Sequence, residues 1–157
     1  MIIRVRKEVV RCAKCKHKND FLYISDFAYG ERLALYNKGT KYAYINLIED
    51  KVYNDFIDTV KYVYKKSNTL LSDKEIQIIV NKIFKITCDK INGKEINFDE
   101  KRKCDKCGND KFEGMLVEPE AIIEIDIPQI THIEWNGLPN DKKMELLIDT
   151  MKKEQLI

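Results

Sequence analysis

Proline and glycine are scarce in this chain, three and six residues of 157. With no internal repeat, that shortage excludes collagen-like, repeat-built and low-complexity architectures. No uncharged apolar stretch approaches the roughly 18 residues a membrane-spanning helix needs. The charged start Met1-Ile2-Ile3-Arg4-Val5-Arg6 also lacks the apolar run of a secretory leader. The expectation is a cytoplasmic protein without a membrane partner. Arginine is short too: 28 basic residues divide into 23 Lys and 5 Arg, and arginine is preferred for bidentate contacts to phosphates and bases. With 26 acidic residues the net charge is only +2, so no global field points to nucleic acid or an anionic surface. Catalytic signatures are missing as well. There is no G-x-S-x-G, no H-E-x-x-H and no glycine-rich phosphate loop, and Asp26, Glu31, Glu49 and Asp50 are close only in sequence. These absences point to a non-enzymatic protein.

What is present is enough apolar material for a core. Hydrophobic residues make up 44% of the chain and charged residues 34%, which suits one globular domain over residues 1–157. Ile3, Val5 and Val9 alternate in the first ten residues, and "DFLYISDF" (20–27) is aromatic and β-branched, so both read as strands. Asn37-Lys38-Gly39-Thr40 carries turn chemistry between two β-prone runs, predicting a hairpin. From Asp50 to Lys65 the period changes to 3.6, with Val52, Phe56, Val60 and Val63 on one stripe. Ser72 and Glu75 have capping-box spacing ahead of Ile76, Ile79, Val80 and Ile83, predicting a helix over 73–87. Asn92-Gly93 marks a tight turn. Ile123, Ile125 and Ile127 alternate with Glu124 and Asp126 as a strand with one wet face, which Pro128 closes. Pro139 opens a last helix, about 139–154, with Met144, Leu147, Ile148 and Met151 on one face. The expected class is α+β: antiparallel β segments with three helices.

Four of the five cysteines fall into two C-x-x-C pairs, Cys12/Cys15 and Cys104/Cys107, separated by 88 residues. A C-x-x-C turn places two sulfurs on one side of a tight loop, so two such loops supply the four ligands of a tetrahedral ion. That use of cysteine suits a reducing compartment better than a disulfide framework. Gly108, directly behind the second pair, can adopt the backbone that aims amides at thiolates, whereas Lys16 holds the matching place in the first pair. The chain here resembles a zinc ribbon, in which two knuckles, each on its own hairpin, clamp one ion. The resemblance covers the knuckles and their flanking strands, about 1–27 and 98–130. It implies a structural Zn²⁺ on Cys12, Cys15, Cys104 and Cys107, with a hairpin and two helices (about 28–97) inserted between the halves. Both pairs are expected between strands, unlike a redox C-x-x-C between strand and helix.

Two further groups are candidates for binding. Arg11, Lys14, Lys16, Lys101, Arg102 and Lys103 flank the knuckles. They offset the net −2 charge of a Zn(Cys)₄ centre, or alternatively form a phosphate-binding face for nucleic acid. All eight tyrosines lie between 23 and 64. Tyr29, Tyr36, Tyr42 and Tyr44, with Trp135, are the candidates for a protein-binding surface, since amphipathic rings are enriched in interfaces. His17 is a minor alternative ligand, Cys88 reads as a small buried hydrophobe, and His132 as a satisfied, partly buried side chain. The functional expectation is a binding protein with a structural zinc site and a protein partner, for instance a toxin-neutralising immunity protein. The alternative is a ribbon that binds nucleic acid through its basic knuckles.

Overall fold

The computed structural model describes residues 1–24, 29–115 and 121–157. It is an α+β fold. Six strands, β1 (Ile2–Cys12), β2 (Lys18–Ile24), β3 (Glu31–Tyr36), β4 (Lys41–Asn46), β5 (Phe112–Met115) and β6 (Ala121–Asp126), accompany four helices. These are α1 (Lys51–Lys66), α2 (Asp73–Ile83), the single turn α3 (Ile133–Asn136) and α4 (Asn140–Lys153). The predicted strand over 20–27 lies partly outside the described residues, at 25–27.

β1 organises one sheet. It pairs antiparallel with β2 along one edge, while β6 and then β5 occupy its other edge, opposite Ile2–Lys7 and Val10–Cys12 respectively. Val5 is fully buried as the alternation requires, but further along the buried residues are Val10 and Cys12 rather than Val9. From Arg6 to Val9 every side chain is half-buried, so β1 is covered on both faces there and its simple alternation fades. The second sheet is the predicted hairpin β3–β4. Asn37, Lys38 and Gly39 all take positive φ at its turn, 51°, 57° and 80°. At Gly39 a Cβ would meet the Lys101 carbonyl at 2.5 Å, so the tip sits against the segment leading to the second cysteine pair.

The main apolar cluster lies between this hairpin and the helices. Ala34, Tyr36, Ala43 and Ile45 meet Tyr53, Phe56 and Val60 of α1, Ile76, Val80 and Ile83 of α2, and Leu147 and Met151 of α4. Phe84 sits at its centre, edge-on to Tyr53 and Phe56 and tilted against Phe98. The capping box is formed: the Ser72 hydroxyl accepts from the Glu75 amide and the Glu75 carboxylate accepts from the Ser72 amide. The predicted helix over 73–87 ends sooner, however, because Phe84–Thr87 tightens into a 3₁₀ turn. α3 was not expected from "ITHIEW". Its first amides are held by Asp89, whose carboxylate accepts from Ile133 at 2.7 Å and Glu134 at 3.0 Å, a partner 44 residues away in sequence.

His132 is 8% exposed and fastens α1 to the chain around Thr87. Its Nε2 is 2.9 Å from Asp50, the N-cap of α1, and its Nδ1 is 2.9 Å from the Thr87 carbonyl. Burial alone would push His132 down, but Asp50, Cys88 and that carbonyl outweigh it and push its pKa up to about 10. Burial likewise opposes ionisation of Asp50, yet His132 and the Tyr53 and Val52 amides hold its pKa below the usual carboxylate value. A raised histidine pKa contributes stability that is complete below about 6.5 and is lost as pH rises through about 10. The Asp50 contribution is present above the ordinary carboxylate pKa and is lost in stronger acid. His132→Gln is therefore expected to lower the urea midpoint most between about pH 5 and 6.5, with the gap to wild type shrinking through neutral pH and closing toward about pH 10. A gap constant across that range would show that the charge of His132 contributes nothing.

Candidate metal centre

The two cysteine pairs fold into near-identical turns. In the first, Cys12 is the last residue of β1; its amide donates to the His17 carbonyl at 2.9 Å, and the Lys16 amide donates to the Cys12 carbonyl at 3.1 Å. In the second, the Cys104 amide donates to the Asn109 carbonyl at 2.8 Å and the Gly108 amide to the Cys104 carbonyl at 2.9 Å. The residue after each pair has positive φ, 64° at Lys16 and 77° at Gly108. Glycine takes that backbone freely, whereas lysine gives up roughly 1–2 kcal/mol. The first turn is thus as complete as the second, although its sequence lacks the glycine. The Ala13 amide donates to the Lys111 carbonyl at 3.0 Å and ties the two turns together.

The sulfurs converge. Cys12 Sγ lies 3.5 Å from Cys107 Sγ, Cys15 Sγ lies 3.6 Å from Cys104 Sγ, and all four are within 4.8 Å of one another. A tetrahedral zinc with Zn–S of about 2.3 Å has S···S edges of about 3.8 Å. The cluster is therefore of a size that can hold a tetrahedral thiolate metal, and each short pair spans the two turns. Cys12 and Cys104 are buried, Cys15 is half-buried and Cys107 is exposed. The wider zinc-ribbon frame holds only in part. Knuckle one joins β1 to β2 as expected, but no strand precedes Cys104; residues 99–104 run irregularly, with the Lys103 amide donating to the Gly39 carbonyl at 3.1 Å.

Two asparagines complete the centre. Asn19, 3% exposed in β2, donates its side-chain amide to Cys104 Sγ at 3.4 Å and to the His17 carbonyl at 3.2 Å, while its Oδ1 accepts from the Asp105 amide at 3.0 Å. Asn109 mirrors it, donating to Cys12 Sγ at 3.9 Å and to the Lys111 carbonyl at 3.1 Å. Each asparagine reaches the first sulfur of the opposite turn. Sequence reading missed both; the available signal was an asparagine within four residues after each C-x-x-C, Asn19 buried in β2 and Asn109 half-buried in the irregular segment before β5. Backbone amides, burial and, at Cys104, Asn19 shift the thiols. The Cys15 amide, against the opposing effect of burial and helped by the Lys14 amide, brings Cys12 down to about 6. For Cys104, burial opposes but the Cys107 amide and Asn19 prevail, holding it below the usual thiol value. At Cys15 the His17 amide favours the thiolate, yet burial and the other three sulfurs push it up to about 11. Four sulfurs this close cannot all ionise without a cation among them, and a divalent ion removes that conflict.

The remaining candidates divide by exposure. His17 is no ligand here; its Nε2 pairs with Asp105 at 2.8 Å. Lys14 and Lys101 are exposed and Arg11 half-buried, while Lys16 pairs with Glu113 and Lys103 lies 3.8 Å from Glu100. Arg102 faces inward, over the rings of Tyr23 at 4.0 Å, Phe21 at 5.3 Å and Tyr42 at 5.4 Å, and donates to the Leu22 carbonyl at 2.7 Å. Its guanidinium is committed to joining the two sheets and is not presented to phosphate. Among the aromatics, Tyr36 and Tyr44 are buried at 8% and 5%, Tyr42 is half-buried against Arg102, Trp135 is half-buried, and Tyr29 is 80% exposed. The five do not form one contact surface, because the hairpin turns Tyr36 into the main core and Tyr44 under Glu31, whose carboxylate accepts its hydroxyl proton at 3.1 Å. Cys88 is half-buried against the core. Among the described residues no helix is long and apolar enough to cross a membrane.

No protein-family model, curated protein or solved structure matches this chain.

Removing a donor to a coordinating sulfur typically weakens metal affinity about 10- to 100-fold. Asn19→Ala is expected to weaken cobalt binding by that factor in a chelator competition followed through the thiolate-to-metal absorption bands. Unchanged affinity would deny Asn19 any part in holding the ion.

Proposed function

We propose that this chain is a non-enzymatic binding protein held together by one structural zinc ion, with another protein as its partner. The observation that carries the reading is the gathering of the Cys12, Cys15, Cys104 and Cys107 sulfurs within 4.8 Å. Four thiolates fill a zinc tetrahedron and leave no position for water, so such an ion supports structure rather than hydrolysis. Zinc-finger peptides gain roughly 10–16 kcal/mol from such a site, as much as the roughly 5–15 kcal/mol net stability of a whole domain. Zinc suits the donor set better than harder cations, which favour oxygen ligands.

A protein partner is preferred to nucleic acid because the basic residues near the knuckles have local uses. Lys16 and Lys103 face carboxylates. Arg102 is held over three aromatic rings. Arg11, Lys14 and Lys101 are left to offset the −2 charge of the thiolate centre. A stoichiometric protein binder is the role that suits a small metal-stapled scaffold, and a toxin-neutralising immunity protein is one kind.

Native mass spectrometry at neutral pH tests the zinc directly. One zinc per folded chain is expected, lost on acidification together with protection of four cysteines from alkylation. A fully folded, metal-free chain would sink the proposal. Retention on immobilised single-stranded DNA tests the partner class: little retention is expected at about 150 mM salt. Retention that falls steeply between about 50 and 200 mM salt, and disappears in Lys14→Glu/Lys101→Glu, would transfer the function to nucleic acid.

A further inference from the structure

Two clefts follow one face of α1. The first, about 340 Å³, is lined by Val52, Phe56 and Thr59 of α1 and by Trp135, Lys143 and Met144. The second, about 400 Å³, is lined by Tyr62, Val63 and Lys66 of α1 and by Met144 and Ile148 of α4. Both include Met144, so the two clefts adjoin there along the seam between α1 and α4. Val52, Phe56, Thr59, Val63 and Lys66 succeed one another at steps of three or four, the spacing by which one helix face receives another. From Val52 to Lys66 the groove floor runs 14 residues, about 21 Å at 1.5 Å per residue, or close to four helical turns.

Its charges are unequal. Lys143 Nζ lies 5.8 Å from the Trp135 ring centre and Lys66 Nζ lies 5.8 Å from that of Tyr62. Neither lysine has a carboxylate partner among the described residues. Each is thus parked over an aromatic face at one of the two clefts, where a carboxylate from outside would take it up. Asp55 is the single acidic side chain on the lining.

We infer that the α1–α4 groove is the docking site of the protein partner, and that the segment it receives is an amphipathic helix of about four turns with an apolar stripe flanked by carboxylates. The apolar stripe would cover Phe56, Trp135, Met144 and Ile148, and the carboxylates would engage Lys66 and Lys143. Such helix-in-groove recognition reads anchors at i, i+3/i+4 and i+7. The inference rests on the protein-binding reading but not on the zinc ion, since no knuckle residue lines either cleft.

Trp135, the chain's one tryptophan, reports occupancy of the groove directly. The probes are two synthetic 16-residue helical peptides without tryptophan that share one leucine stripe, one flanked by glutamates and the other by lysines. The zinc-loaded full chain is titrated with each while tryptophan emission is followed. A saturable blue shift with the glutamate peptide, at least about tenfold tighter than with the lysine peptide, is expected. Lys66→Glu/Lys143→Glu should invert that preference while leaving the circular dichroism and zinc content unchanged. Equal affinity for both peptides, no saturable change with either, or a double variant that keeps the wild-type preference would overturn the inference. So would sedimentation showing a dimer whose dissociation alone moves the tryptophan emission, since the occupant would then be a second copy. In each of those cases a zinc content of one would leave the proposed structural centre standing.

Discussion

Four sulfur atoms drawn from two short turns 88 residues apart in sequence set the constraint on which the first sheet depends. Cys12 ends β1, and β1 is the strand that β2, β5 and β6 all pair with. Fixing Cys12 therefore fixes the register of four strands at once. The Ala13–Lys111 hydrogen bond and the two cross-reaching asparagines extend that constraint to the chain on either side of the second knuckle. Closing so long a loop is unfavourable in chain entropy, though the penalty grows only slowly with length. A shared divalent ion is an interaction large enough to hold such a closure in a chain this small.

Much of this was legible because the local signals are strong and independent of context. The capping box at Ser72, the turn at Asn37–Thr40, the 3.6-residue stripe of α1 and the paired C-x-x-C motifs each depend on a few neighbouring residues. Part of what escaped notice depends on distant ones. α3 exists because the Asp89 carboxylate reaches its first amides, and nothing in "ITHIEW" announces that. Lys16 adopts a glycine-like backbone where its amide closes onto the Cys12 carbonyl and the Cys12 amide onto that of His17. The exchange of Val9 for Val10 reflects a switch in which face of β1 is buried, from that of Val5 to the opposite one, of Val10 and Cys12, which period-two reading cannot see.

The aromatic and basic residues show the same limit. Counting tyrosines identified amphipathic rings but could not say which way a hairpin would turn them. β3 and β4 send Ala34, Tyr36, Ala43 and Ile45 toward the helices, leaving Tyr42 on the other face to meet Arg102. That arginine, read from sequence as one of a basic cluster, lies against Phe21, Tyr23 and the Leu22 carbonyl of β2 as well as Tyr42 of β4. It works as a rivet between the two sheets, with its charge over aromatic faces rather than in solvent.

The main apolar cluster draws no residue from β1, β2, β5 or β6 among those described. Sulfur chemistry and oil-drop chemistry thus govern different parts of one small molecule. Disturbing the sulfurs therefore bears first on the strands and heat on the helical body, and the two parts meet at Arg102, at the Leu22 amide that donates to the Tyr42 hydroxyl, and at Gly39 against the Lys101–Lys103 segment. Were the four sulfurs let go, the sheet would fray first, while the helical half and its α1–α4 face kept a core of their own.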